Sequence, residues 1–165
     1  MDASFDPIFT NVAAYREIAA EALRESEAFF EAHRRPKGDG SGGHILSVDP
    51  DRQSFKQSLI AIAFTGMFIE AALWLYGCRK LGIDKYRPVD GKPLEKRLRD
   101  LGIDDKDLET KLKDYRETRK DLVHEKAVPL SLDRTPVRHA QKEAKKSVEL
   151  MLQVETLLRS LGLPL

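Results

Sequence analysis

Between Leu59 and Gly77 the chain runs for 19 residues with a single charged side chain, Glu70. A stretch like this has two natural homes. One is the hydrocarbon core of a membrane, which takes about 20 apolar residues. The other is the middle of a helical protein, where neighbouring elements cover all faces of the helix. The length is marginal for a span, the flanks show no strong anchor, and a carboxylate inside a bilayer is costly. The expectation is therefore a central buried helix, opened by Asp49-Pro50-Asp51 and running to about Lys80, with no membrane partner. An unpaired buried carboxylate is expensive. Glu70 is accordingly expected to be mostly buried and paired with an Arg or Lys, an Arg on the third helix being the natural candidate, or to face a cleft. The plainer alternative is a charge on a solvated edge.

The remaining segments read as helices able to surround this one. Asp6-Pro7 supplies an N-cap and a first-turn proline. From there to about Arg35 the apolar residues Val12, Tyr15, Ala19, Ala22, Leu23 and Phe30 recur at helical spacing, and Pro36 ends the pattern. Residues 36–49 form a Gly-rich stretch, KGDGSGG at its centre, expected to be a flexible loop with a short extended piece at His44–Val48. It lacks the lysine-terminated pattern of a phosphate-binding loop. Residues 81–91 read as a connector, with Gly82 and Pro88 as breakers. Pro93 opens a short helix that ends near Gly102, and Asp104 or Asp105 caps the next. That helix carries Leu108, Leu112, Tyr115, Leu122 and Val123 inward, and Pro129 closes its exit. Thr135-Pro136 opens a last helix, reaching about Leu161 with Gly162 as terminator. It carries Ala140, Ala144, Ser147, Val148, Met151, Val154, Leu157 and Leu158 on one face. The whole predicts a single all-α domain over residues 1–165, a four-helix up-down bundle whose third helix is broken near Gly102.

Composition narrows the chemistry. The net charge of +1 argues against a strongly basic nucleic-acid binder, yet it hides an asymmetry. Residues 1–70 hold 7 basic and 11 acidic side chains, and residues 71–165 hold 21 and 16, so the second half carries +5 and tolerates an anionic partner. The single cysteine, Cys78, excludes an intrachain disulfide and fits a cytoplasmic protein. The N-terminal MDASFDPIFT lacks the basic and apolar regions of a signal peptide. None of the four histidines, His33, His44, His124 and His139, stands at metal-ligand spacing with another His or with Cys78, so neither a metal nor another cofactor is expected. No motif points to a serine or cysteine nucleophile. Trp74, Tyr76, Phe64 and Phe68 read as core rather than as base-stacking platforms.

What remains is Arg119-Lys120-Asp121-Leu122-Val123-His124-Glu125, at the end of the charged third helix. A guanidinium can hold a phosphate with two parallel donors, and a histidine near neutral pKa can move a proton. Arg134 and His139 share the same spacing, but Pro136 interrupts them. On an ideal helix, five residues leave two side chains about 140° apart. Arg119 and His124 therefore need a distorted helix, a long reach by the arginine, or a residue borrowed from a second subunit. The alternative reading makes Arg119 a solvated charge or a salt-bridge partner of Glu70, and His124 a helix C-terminal residue favoured by the dipole.

The segment ETRKDLVHEKA, closing the third helix of an all-helical chain, resembles the signature of the HEPN domain (higher eukaryotes and prokaryotes nucleotide-binding). Arg119 and His124 match its two fixed positions, with four residues between them. The residue after the arginine, usually Asn, Asp or His in that family, is Lys120 here. The resemblance implies a HEPN-type four-helix bundle and a homodimer whose paired motifs line one cleft. It also implies metal-independent endoribonuclease activity, with Arg119 and His124 as the catalytic pair. From the residues themselves, Glu70, Lys120 and Asp121 are the candidates to support the pair, Asp121 being either an orienting partner of His124 or a surface charge, and Arg116 and Lys120 are the candidate RNA contacts. A toxin or defence component restrained by an antitoxin protein is the corresponding expectation. Other members of the family have lost activity, so the alternative is a non-catalytic helical dimer that binds a nucleotide or a protein partner.

Overall fold

The computed structural model describes residues 10–46, 49–123 and 139–165. Among these the chain is mostly helical. Its helices are α1 (Val12–Ala32), α2 (Gln53–Leu81), α3 (Ile83–Asp90), α4 (Leu94–Asp100), α5 (Lys106–Leu122) and α6 (Ala140–Ser160). A two-stranded antiparallel hairpin, β1 (Arg34–Pro36) and β2 (His44–Leu46), lies between α1 and α2.

The apolar run becomes the middle of α2, and α1 and α6 are its main neighbours. Its inner residues Ala61, Ile62, Phe68, Ile69, Ala72 and Leu73 are fully buried. Each large one stabilises the fold by about 1.5–3 kcal/mol relative to exposure. By length and composition α2 could cross a membrane, but half of its most apolar window is buried against the rest of the chain. Polar contacts set the directions. Ser26, late in α1, hydrogen-bonds the Ser54 carbonyl (3.0 Å) and the Ser58 hydroxyl (2.8 Å) early in α2. Tyr15, early in α1, meets Phe64 further along α2, so α1 and α2 are antiparallel. Gln141, at the start of α6, donates to Ser54 Oγ at 3.2 Å. Arg16 in α1 donates to Glu155 late in α6 at 2.7 Å. Thus α6 opposes α1 and runs alongside α2.

Local chemistry explains most boundaries. Asp105 caps α5 by accepting from Leu108 N at 2.9 Å. Gly102 (φ 70°) ends the α4 turn, with Ile103 N donating back to the Leu98 carbonyl, and Gly162 (φ 87°) closes α6 in the same manner through Leu163 N and the Leu158 carbonyl. Two crossed ion pairs hold α4 against α5: Arg99 with Glu109 (2.6 Å) and Arg116 with Glu95 (3.2 Å). The carboxylates of both pairs are buried.

Several expectations need correction. Residues 83–90 form helix α3 instead of a connector. Pro88 removes one backbone donor, but Tyr86 is fully buried. Its ring lies against Gly77 of α2 and edge-on to Trp74, so tertiary packing outweighs the lost hydrogen bond. In the Gly-rich segment the expected extended piece is present as β2, and it pairs with β1. Residues 37–43 turn between β1 and β2, with Lys37 N bonded to the Gly43 carbonyl (2.9 Å) and Asp39 accepting from Ser41 N (2.9 Å). α1 ends at Ala32 because Arg34 and Arg35 enter that hairpin. α2 begins at Gln53, where Asp49 Oδ2 accepts from Ser54 N at 3.0 Å. α6 begins at Ala140, with His139 as its N-cap. The expected starts at Asp6-Pro7 and Thr135-Pro136, and the exit at Pro129, lie outside the described residues.

Candidate functional site

The site is built where α5 lies on α2. Tyr115 and Arg119, one turn apart on α5, face Ile62, Gly66 and Glu70, successive turns of one stripe of α2. Tyr115 is buried, and its hydroxyl donates to the Ile62 carbonyl at 2.7 Å. Burial pushes its phenol well above the ordinary tyrosine range. The Arg119 charge works against that shift and Glu70 adds to it. The group therefore remains a protonated donor at neutral pH. One turn on, Arg119 Nη1 meets Glu70 Oε1 at 2.7 Å. The Arg119 side chain is 25% exposed, and among the described residues its buried Nε–H meets no acceptor.

Gly66 makes this arrangement possible. A Cβ there would stand 2.5 Å from Tyr115 Oη, 2.9 Å from Arg119 Nη1 and 3.1 Å from Arg119 Cζ. Without it, the phenol and the guanidinium rest against the α2 backbone. The ion pair alone is a minor source of stability. The Glu70 side chain is 44% exposed, and partly solvated pairs contribute about 0–1 kcal/mol. Its effect is geometric, since it holds one end of a long, otherwise mobile side chain.

Glu70 thus has the arginine partner expected of it, but it is not mostly buried. It lies at the rim where α5 crosses α2, and water reaches its free side. Arg116, three residues before Arg119, turns to α4 and pairs with Glu95, so the structure does not bring it to Arg119. Lys120 and Asp121 are exposed on the outer side of α5. His124 and Arg134 lie outside the described residues. His139 is the α6 N-cap. Among the described residues no group of three His, Cys, Asp or Glu side chains is disposed to hold a metal. No protein-family model, curated protein or solved structure matches this chain.

Sequence reasoning overlooked Gly66 and Tyr115 as parts of the site. The signal was present in two places. A glycine inside an apolar helix costs stability and so points to a packing reason, as it does at both Gly66 and Gly77, and Tyr115 stands one turn before Arg119. What the assembled group can do is hold a guanidinium in one place, half-shielded from water and beside an acid. With Nη1 on Glu70 and Nε buried, a phosphate could take the two-donor fork only by displacing the carboxylate.

Proposed function

We propose that the chain is a HEPN-like, metal-independent endoribonuclease with Arg119 and His124 as its catalytic pair. The observation that carries this reading is the seat of Arg119. A motif arginine that was only a solvated helix charge would need no glycine notch or buried tyrosine strut, although its ion pair with Glu70 is equally what a structural salt bridge requires. In the proposed reaction, the 2′-OH of the RNA attacks the adjacent phosphorus. The phosphorus–5′-oxygen bond breaks, leaving a 2′,3′-cyclic phosphate and a 5′-hydroxyl. His124 removes the 2′-OH proton or protonates the departing 5′-oxygen. Arg119 holds the phosphate and stabilises the charge on its oxygens as the phosphorane forms. Glu70 orients Arg119, Asp121 orients His124, and Lys120 with Arg116 contacts the RNA backbone.

The same reading takes α1, α2, the α4–α5 pair and α6 as the four helices of a HEPN-type bundle. The antiparallel α1 and α2, and the crossed ion pairs that make α4 and α5 one broken element, support it. It further proposes a cytoplasmic homodimer in which a twofold axis brings two motifs to one cleft, restrained by an antitoxin protein and independent of membranes. A dimer supplies two copies of His124, one as base and one as acid.

A second reading is favoured by one specific observation. Glu70 already occupies Nη1 of Arg119, and the residue after the motif arginine is Lys120. Both fit a non-catalytic dimer that binds a nucleotide or a protein. Incubating the purified protein with a mixed RNA pool in EDTA, beside His124→Ala, separates the two. Cleavage by the parent alone supports the ribonuclease. Intact RNA with both proteins overturns it in favour of the binding module.

A further inference from the structure

We infer that Gly66 and Tyr115 are positioning residues that set the Arg119 guanidinium for its task; the catalytic part of this inference rests on the ribonuclease reading. The argument begins with the stripe Ile62–Gly66–Glu70. These three positions contact α5 in three different ways. Ile62 offers a carbonyl, Gly66 offers exposed backbone, and Glu70 offers a carboxylate. Tyr115 takes the first and rests on the second, and Arg119 rests on the second and takes the third.

Each contact limits a different freedom. The Tyr115 hydroxyl, bonded at 2.7 Å to Ile62, fixes how closely α5 approaches α2 at that turn. The Gly66 notch then fixes how deep the guanidinium lies, because Nη1 and Cζ occupy space within 2.9 and 3.1 Å of where a Cβ would be. Glu70 fixes its rotation through Nη1. The result leaves Nε–H buried and without an acceptor among the described residues. An arginine would not adopt that state unless the notch and the strut imposed it, since a buried, unsatisfied donor is unfavourable.

A methyl group at position 66 breaks the seat at two points. It meets the Tyr115 hydroxyl, which is buried and tied to Ile62, and it meets the guanidinium, which lies at the free end of a flexible chain. The guanidinium swings away at little cost, while the hydroxyl, the nearer of the two, can give only by straining its bond to Ile62. A misplacement of about 1 Å in a reacting group costs about 10²-fold in rate. The loss belongs in kcat, because RNA still binds through its other phosphate contacts.

The test uses the full chain, with Gly66→Ala, Tyr115→Phe and the double variant Gly66→Ala/Tyr115→Phe. The first readout needs no activity. In a 15N–1H spectrum the parent should give a slowly exchanging arginine Nε–H signal, assigned by its absence in Arg119→Lys. Gly66→Ala should shift it or make it exchange with solvent. The second readout is RNA cleavage. Gly66→Ala should lose about 10²-fold in kcat with KM little changed. The double variant should melt above Gly66→Ala, since the hydroxyl clash is gone, but below the parent, since the bond to Ile62 is lost, and it should not recover kcat, since the guanidinium clash remains. Gly66→Ala with the parent's Nε–H signal overturns the inference. So does a double variant that recovers kcat together with melting temperature, because the residues would then act on stability alone. A parent that cleaves no RNA but shows the protected signal, lost in Gly66→Ala, sinks the ribonuclease reading and leaves the positioning of Arg119 standing.

Discussion

At the scale of single residues, Arg119 and His124 make the sharpest demands. If the motif is catalytic, the arginine's role depends on a planar fork of donors and not on charge alone. Arg119→Lys should therefore keep the fold and lose most of the cleavage, because an ammonium can neither occupy the Gly66 notch in the same way nor grip a phosphate with two parallel donors. His124→Ala should lose about 10²–10⁴-fold, the usual contribution of general acid–base catalysis, with the circular dichroism spectrum unchanged. His139→Ala should cleave like the parent, since His139 stands at the N-cap position of α6 without a side-chain cap hydrogen bond and its spacing from Arg134 is taken as coincidental. Initial rates on one RNA substrate, measured in EDTA, check all three. An active His124→Ala would reject the proposed chemistry outright.

At the scale of elements, two contacts decide how the helices hold together. The first is the Tyr86 ring of α3 against Gly77 of α2. Gly77→Ala would normally help a helix, but here the added methyl overlaps the Tyr86 ring. Tyr86 is buried and flanked by Trp74, so it has nowhere to go. The expected net loss is about 1–3 kcal/mol, as for other overpacked cores, read as a lower denaturant midpoint with an unchanged slope. The second contact is Glu155, the carboxylate on α6 that ties α1 to α6. Burial works to raise its pKa, but hydrogen bonds from Arg16 and Arg159 outweigh this and hold it below the ordinary value of 4.5. A carboxylate with a lowered folded pKa gives stability that is present above its unfolded value and lost as pH falls through the folded one. Glu155→Gln should therefore melt below the parent at pH 7. The gap should close only as the pH drops below 4.5. A gap that is constant between pH 7 and pH 3 would show that the pair contributes nothing through its charge.

At the scale of the whole molecule, the proposed twofold assembly is the main open demand. On α2, Phe55 and Ile60 remain exposed within one copy of the chain. A pair five residues apart, which an ideal helix would set about 140° apart, is also completed most simply by a second subunit. Light scattering at tens of micromolar, a range chosen because moderate dimers have about micromolar affinity, should give twice the chain mass of 18.7 kDa. A monomer at that concentration would remove the proposed cleft, and the requirement for two histidines with it.

What the sequence determined by itself is whatever depends on neighbours a few residues apart. The apolar run specified α2 as the central helix. The helical spacing of Leu108, Leu112 and Tyr115, and of Ala144, Val148, Met151 and Val154, specified which faces turn inward. Asp105, Gly102 and Gly162 specified ends, because caps are local hydrogen bonds between residues three to five positions apart. The arginine partner of Glu70 could be named from the sequence, but not that the carboxylate would sit at a solvated rim, which depends on where α5 crosses α2. Only the tertiary structure decided the rest. Residues 83–90 fold as a helix because a distant glycine receives Tyr86, which no local propensity encodes against Gly82 and Pro88. The hairpin register, Arg35 opposite Ile45, depends on pairing across the glycine turn. The seat of Arg119 unites residues 49 and 53 positions apart, Glu70 with Arg119 and Ile62 with Tyr115. Those contacts depend on how closely and at what point α5 crosses α2. That crossing is settled by the packing of whole helices, so Gly66 acquires its meaning only once Tyr115 and Arg119 are lying on it.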